Sequence, residues 1–230
     1  MTAESKENFK RQAAHEAVGR VRSGMVVGLG TGSTAKHAVL EIGSLMENGT
    51  LKDIIGIPSS VQTETLARSA GIPLTTFDEH PFIDITIDGA DEVDPDLNLI
   101  KGGGAALLRE KVLAQSSRRN IIIVDESKLS PRLGMRFALP VEVIPFARGT
   151  EQAFLESLGA SAVLRSDSTG KPILTDQGNF IFDASFGPIS DVERLAAKLN
   201  DRAGIMAHGL FIGLAHEVIV SGAGGVRCLP

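Results

Sequence analysis

Apolar residues recur along this chain at two different spacings, and the spacing decides which element each stretch predicts. Phe9, Ala13, Ala14, Ala17, Val18 and Val21 fall at helical intervals, so an amphipathic helix precedes the run GMVVGLG, which reads as a strand. A helix around Ala35 to Met46, the strand DIIGIPSS, a helix through TETLARSA and a short strand near IPLTTF follow. Next come the strand IDITIDGAD, a helix through AALLREKVLAQS and the strand NIIIVDES. Strand and helix in alternation predict an α/β fold with a doubly wound, mostly parallel sheet, because parallel neighbours need a crossover and a helix supplies it.

The texture changes after Pro131. FALPVEVIPFA reads as a strand and TEQAFLESLG as a short helix. KPILTDQGNFIFDASF reads as two strand-like runs joined around Asp176-Gln177-Gly178-Asn179, which predicts a hairpin. The helix SDVERLAAKLN follows, and HGLFIGL and EVIVSGAGGV close the chain as two more strands. This grouping predicts a second, smaller α+β unit. Periodicity leaves open whether the last strands rejoin the first domain.

With 230 residues and an apolar fraction of 43%, the chain has material for a medium-sized domain and a companion. A net charge of −5, a pI near 5.6 and no basic run beyond pairs such as Arg118-Arg119 argue against nucleic acid or an anionic membrane as partner. An anionic ligand must therefore be held by local groups. No apolar stretch reaches the roughly 20 residues of a membrane span. The opening MTAESKENFKRQAAHEAVGRV carries charge where a signal peptide needs an apolar region, and the single Cys228 reads as a free thiol. A cytoplasmic location is expected.

Candidate chemistry gathers where strands end. GLGTGSTAKH brings Gly28, Gly30, Thr31, Gly32, Ser33 and Thr34 to the junction of the first strand with its helix. Such a turn suits phosphate, because helix N-terminal amides carry partial positive charge and glycine admits close approach. The plainer reading is a tight turn with Ser/Thr capping. The loop is no Walker A, and Ser33 stands where the dinucleotide fingerprint has its third glycine. Ser59 and Ser60, at the end of GIPSS, read as helix caps.

IDITIDGADEVD runs a strand into Asp88, Gly89, Ala90 and Asp91. These acids are placed either for a ligand or for a turn of the Asx type. Glu92, Asp94 and Asp96 read as solvated loop acids. No His stands near and calcium-loop spacing is absent, so no metal is expected. LIKGGG then sets Lys101 before Gly102, Gly103 and Gly104, either as an oxyanion pocket of amides and one ammonium or as a flexible hinge. In the helix that follows, Glu110 has Ala106, Leu107, Leu113 and Ala114 at three and four positions away, with no cation among them. That is the setting of a general base with a raised pKa; a solvated position on the helix edge is the alternative. Arg109 falls in the apolar arc of Ala105, Val112 and Leu113, where it snorkels or pairs across a subunit interface. Phosphate holders, carboxylates, a lysine and an isolated glutamate suit proton abstraction beside a carbonyl.

GLGTGST, DGADEVD, KGGGAALLREK and VDESK, in this order and spacing, resemble ribose-5-phosphate isomerase of the A type, and the likeness extends through LPVEVIPFA and GLFIGLAHEVIVSGAGGV. The resemblance implies reversible interconversion of ribose 5-phosphate and ribulose 5-phosphate without metal or other cofactor, by a homodimer or homotetramer. It also implies a Rossmann-like domain of residues 1–131 and 206–230, with residues 132–205 as an inserted ferredoxin-like α+β domain. Glu110 would shuttle the proton, Asp88 would help open the sugar ring and Asp91 would hold hydroxyls. Lys101, Gly102 and Gly103 would stabilise the enediolate. Thr31, Gly32, Ser33 and Thr34, with Gly89, Ala90, Gly104, Lys128 and, less directly, Lys10, would complete the substrate contacts. Leu108 stands where many members carry threonine. Three other readings make different predictions: a sugar-phosphate sensor needs a DNA-binding domain for which the stretch before the first strand is too short, an aldolase needs a Schiff base on Lys101, and a dehydrogenase needs NAD(P).

Overall fold

In the computed structural model, which describes residues 3–230, the chain begins α1 (Ala3–Val18), β1 (Val26–Leu29), α2 (Ala35–Glu47), β2 (Ile55–Pro58), α3 (Val61–Ser69) and β3 (Ile85–Asp88). It continues β4 (Glu92–Val93), β5 (Leu99–Ile100), α4 (Leu107–Gln115), β6 (Asn120–Asp125), β7 (Leu139–Val143), α5 (Arg148–Ser157), β8 (Ser161–Leu164) and β9 (Phe180–Ser185). The last elements are α6 (Val192–Asn200), β10 (Ile205–His208), β11 (Leu210–Phe211), β12 (Glu217–Gly222) and β13 (Gly225–Leu229). Contacts divide the chain into one unit running through Ala90 with Arg109–Ser127 and Gly213–Pro230, and another of Asp91–Leu108 and Lys128–Ile212.

The first unit is built on a sheet of order β13-β12-β6-β3-β1-β2, parallel except for its edge strand β13. Its strands are apolar on both faces, as a sheet covered on both sides requires. Ile85 and Ile87 of β3, with Ile121 and Ile123 of β6, join Ala13, Ala17, Ile42 and Ala67 from the helices on one face. Leu113 of α4 packs with Ile57 and Ile83 in a separate cluster. The run near IPLTTF makes only an isolated bridge, Gly56 to Leu74, since Pro73 has no N–H to continue a ladder. EVIVSGAGGV is not one strand: it turns at Ala223-Gly224, and β13 returns antiparallel to β12.

In the second unit β7, α5, β8, β9, α6 and β10 follow the β-α-β-β-α-β order of a ferredoxin-like layer, with antiparallel sheet order β10-β7-β9-β8. Val141, Val143, Phe182 and Ala184 face Leu155, Ala196 and Leu199 of its two helices. The hairpin around Asp176–Asn179 forms only isolated bridges on its first arm, where Pro172 lies. The ladder partner of β9 is the earlier run SAVL, whose weak apolar signal announces no strand. A small antiparallel sheet, β11-β5-β4, completes this unit and carries two of the expected site residues at its ends.

Candidate active site

Strand β1 and its loop owe their glycines to the neighbouring strand. A Cβ at Gly28 would lie 1.9 Å from Thr86 Oγ1, and one at Gly30 would lie 2.6 Å from Asp88 Cα. Both glycines make room for side chains of β3; only Gly32, at φ +109°, is required for its backbone conformation. Gly30 N–H donates to Ile87 O at 3.0 Å and Thr31 N–H to Asp88 Oδ1 at 3.1 Å, so loop and acid are tied together. Asp88, only 2% exposed at the end of β3, also accepts the Gly89 N–H at 2.7 Å.

The Thr31 hydroxyl turns inward, within 2.7 Å of Ser59 Oγ, 2.8 Å of Ser60 Oγ and 3.0 Å of Thr63 Oγ1. Thr63 passes the chain on to Gly30 O, and Ser60 caps α3 through the Thr63 N–H. Thr31 therefore stiffens the loop from beneath, while Gly32 and Ser33 are exposed and Thr34 is half-buried. Thr34 opens α2 without a side-chain cap.

Asp91 and Lys101 are brought together by the β4–β5 ladder of the second unit. Glu92 pairs with Ile100 and Val93 with Leu99, so the same register sets Asp91 opposite Lys101. Asp91 N–H donates to Ile100 O at 2.8 Å and Lys101 N–H to Gly209 O at 2.9 Å. The Lys101 side chain is 3% exposed, its ammonium 5.6 Å from the Phe211 ring centre, where the π face favours a cation. The glycine turn that follows is no loose hinge. Gly102 sits at φ +109° with Leu107 and Pro140 where a side chain would be, and the Gly103 N–H donates to Asp91 Oδ2 at 2.7 Å. That amide is thus committed to a carboxylate rather than standing open as an oxyanion donor. Gly104 is exposed.

Glu110 lies in the first turn of α4 and is 4% exposed, which removes the reading of a solvated helix edge. Ala106, Leu107, Leu113 and Ala114, its neighbours at helical spacing, are all buried. Arg109 lines a cavity of about 510 Å³ in the first unit with Ile57, Phe77 and Val112, a setting in which its stem covers apolar surface. Burial pushes the ammonium of half-buried Lys111 down to about 8. Lys128, half-buried, ends the turn Glu126–Lys128. Lys10 pairs with Glu7 at 3.3 Å, and Glu7 also meets His37 Nε2 at 2.8 Å; these two partners hold its carboxyl below the ordinary range.

Two residues that the sequence reading passed over prove structural anchors. Glu92, read as a solvated loop acid, is fully buried and accepts N–H groups from Gly134, Met135, Arg136 and Phe137 at 2.9 to 3.2 Å. Arg165 donates to the carbonyls of Gly102 and Gly103. Neither carried a signal in the sequence, since Glu92 stands among loop acids and Arg165 is a lone basic residue after SAVL. Among the described residues, no group of three or more His, Cys, Asp or Glu side chains is placed to hold a metal ion, and no helix is long and apolar enough to cross a membrane.

The model of the family ribose 5-phosphate isomerase A (phosphoriboisomerase A) matches residues 55–225. Ribose-5-phosphate isomerase A of Desulfatibacillum aliphaticivorans is 60% identical over 223 residues, covering 97% of each chain. That of Chloroflexus aurantiacus is 55% identical over 227 residues, covering 99% of this chain and 95% of the relative. The solved structure of ribose 5-phosphate isomerase A from Methanocaldococcus jannaschii superposes with a TM-score of 0.93 at 40% identity, over 98% of this chain and 99% of that one. A D-ribose-5-phosphate isomerase in complex with phospho-erythronic acid gives 0.95 at 40% identity, over 100% and 99%.

Proposed function

The chain belongs to the ribose-5-phosphate isomerase A family, and from that premise we propose a division of labour among its residues. The activity is the reversible interconversion of D-ribose 5-phosphate and D-ribulose 5-phosphate through an enediolate, a step of the non-oxidative pentose phosphate pathway. One base must serve two adjacent carbons. Glu110 takes the proton from C2 of the open-chain aldose, and the electron pair left behind forms the C1–C2 double bond of the enediolate. Glu110, which exchanges its proton with solvent in the interval, then delivers a proton to C1 while the O2 proton passes to O1, so the ketose forms with no net change in composition.

Ahead of this step Asp88 moves a proton to or from the ring oxygen as the furanose opens. Its neighbours Gly89 and Ala90 line the same end of β3. Asp91, held by the Gly103 N–H, orients sugar hydroxyls, and the Lys101 ammonium, with the backbone of Gly102 and Gly104, offsets charge on the enediolate oxygens. Thr31, through its loop, holds Gly32, Ser33 and Thr34 at the start of α2 for substrate, and Lys128 adds positive charge. The protein works in the cytoplasm as a homodimer or homotetramer, without a cofactor. The burial of Glu110 in the first turn of α4 carries the reading, because a carboxyl group is costly to place away from water unless it has chemistry to do there.

Isomerisation in deuterium oxide, followed by proton NMR, tests the reaction type. Proton transfer predicts deuterium at C2 of ribose 5-phosphate or C1 of ribulose 5-phosphate during turnover; a hydride shift leaves the carbon-bound hydrogen unexchanged. Product free of deuterium at every stage would remove the role given to Glu110.

A further inference from the structure

The glycine turn has the least intrinsic stiffness of any stretch in the proposed site, and a distant arginine holds it. Arg165 follows β8 and lies 63 residues from Gly102 in the chain, yet its Nη1 donates to Gly102 O at 2.8 Å and to Gly103 O at 3.2 Å. The other edge of its guanidinium meets Asp183 of β9, Nε to Oδ2 at 3.0 Å and Nη2 to Oδ1 at 2.5 Å. This fork leaves the Arg165 side chain 12% exposed. All of these residues belong to the second unit.

The peptide between Gly102 and Gly103 is a rigid plane, with carbonyl and N–H pointing in opposite directions. Its carbonyl accepts from Arg165 and its N–H donates to Asp91 Oδ2 at 2.7 Å, so the plane is pinned at both ends. A charged donor on the carbonyl also polarises the peptide and strengthens the bond that its N–H makes. Without that donor, two glycines with no Cβ have many backbone states open to them.

We propose that Arg165 is a positioning residue for the isomerisation: by fixing the Gly102–Gly103 peptide it sets the Asp91 carboxylate, which stands opposite Lys101 across the β4–β5 ladder. Asp183 aims the guanidinium. The proposal rests on the roles given above to Asp91 and Lys101. A lysine cannot replace the arginine, because a single ammonium cannot bind a carboxylate edge-on and two carbonyls at once.

The test compares wild type with Arg165→Lys and Asp183→Asn, measuring kcat and KM for ribose 5-phosphate, thermal stability, and amide hydrogen exchange by mass spectrometry. Expected for Arg165→Lys is a loss of about 10- to 100-fold in kcat/KM, with faster exchange confined to peptides containing Gly102 to Ala105. Asp183→Asn gives the same pattern in weaker form. Normal exchange at the turn overturns the proposal, as does faster exchange with kcat/KM intact. So does faster exchange throughout the second unit with a fall in kcat at constant KM, the mark of a merely structural role. Wild type without isomerase activity would contradict the functional reading instead, and the exchange measurement would still report on the clamp.

Discussion

Asp88 occupies the space that a side chain at residue 30 would need, and this close approach explains more of the GLGTG pattern than phosphate chemistry does. Gly30→Ala must push β1 away from β3 or displace the carboxylate. A destabilisation of about 1–3 kcal/mol is expected, the usual range for overpacking, read by urea denaturation with activity falling alongside. Beside Glu110, Lys111 supplies a pH signature. Its folded value of about 8 lies below the ordinary 10.5, because burial disfavours the ammonium. Between those values the unfolded chain binds the extra proton, so this group's contribution to stability rises as pH rises from about 8 to 10.5 and is lost as pH falls through about 8. The stability of wild type relative to Lys111→Met should improve across that window. A constant difference would mean that the ammonium is solvated in the folded protein.

The short elements β4 and β5 matter out of proportion to their length. They bring Asp91 and Lys101 opposite each other, and on β4 Glu92 gathers four N–H groups from the turn at Gly134 to Phe137. Glu92→Ala takes the acceptor from those part-buried donors, and each lost bond costs about 1–3 kcal/mol less whatever water recovers. Unfolding of the second unit well below the wild-type temperature is expected in calorimetry; a shift of a degree or less would show that the turn re-forms around water. At β1, Thr31→Val removes one partner from each of the hydroxyls of Ser59, Ser60 and Thr63, while Ser60 keeps the Thr63 N–H and Thr63 keeps Gly30 O. The loop should then exchange its amides faster, while the unfolding midpoint of the first unit falls by an amount matching about 1–3 kcal/mol.

Across the whole molecule, the long periodic segments were legible because each carries its own burial pattern. Alternating strands and helices gave the parallel sheet, and the change of texture after Pro131 marked the ferredoxin-like layer. What escaped depends on partners far away in the chain. SAVL becomes β8 only through β9, the grouping of 91–108 with the second unit follows from two-residue strands, and Arg165 finds its carbonyls across 63 residues. The candidate acids and Glu110 were visible as charges set in apolar surroundings. Glu92 was the exception, because a buried acid whose acceptors are filled by a distant turn looks in sequence like any loop glutamate.

The central claim is that Glu110 carries the proton. Glu110→Gln keeps the shape of the side chain and removes its basicity, so kcat and solvent deuterium exchange should fall together by about 10²- to 10⁴-fold with KM for ribose 5-phosphate little changed. Isomerisation and exchange at the wild-type rate in the Glu110→Gln variant would contradict the account.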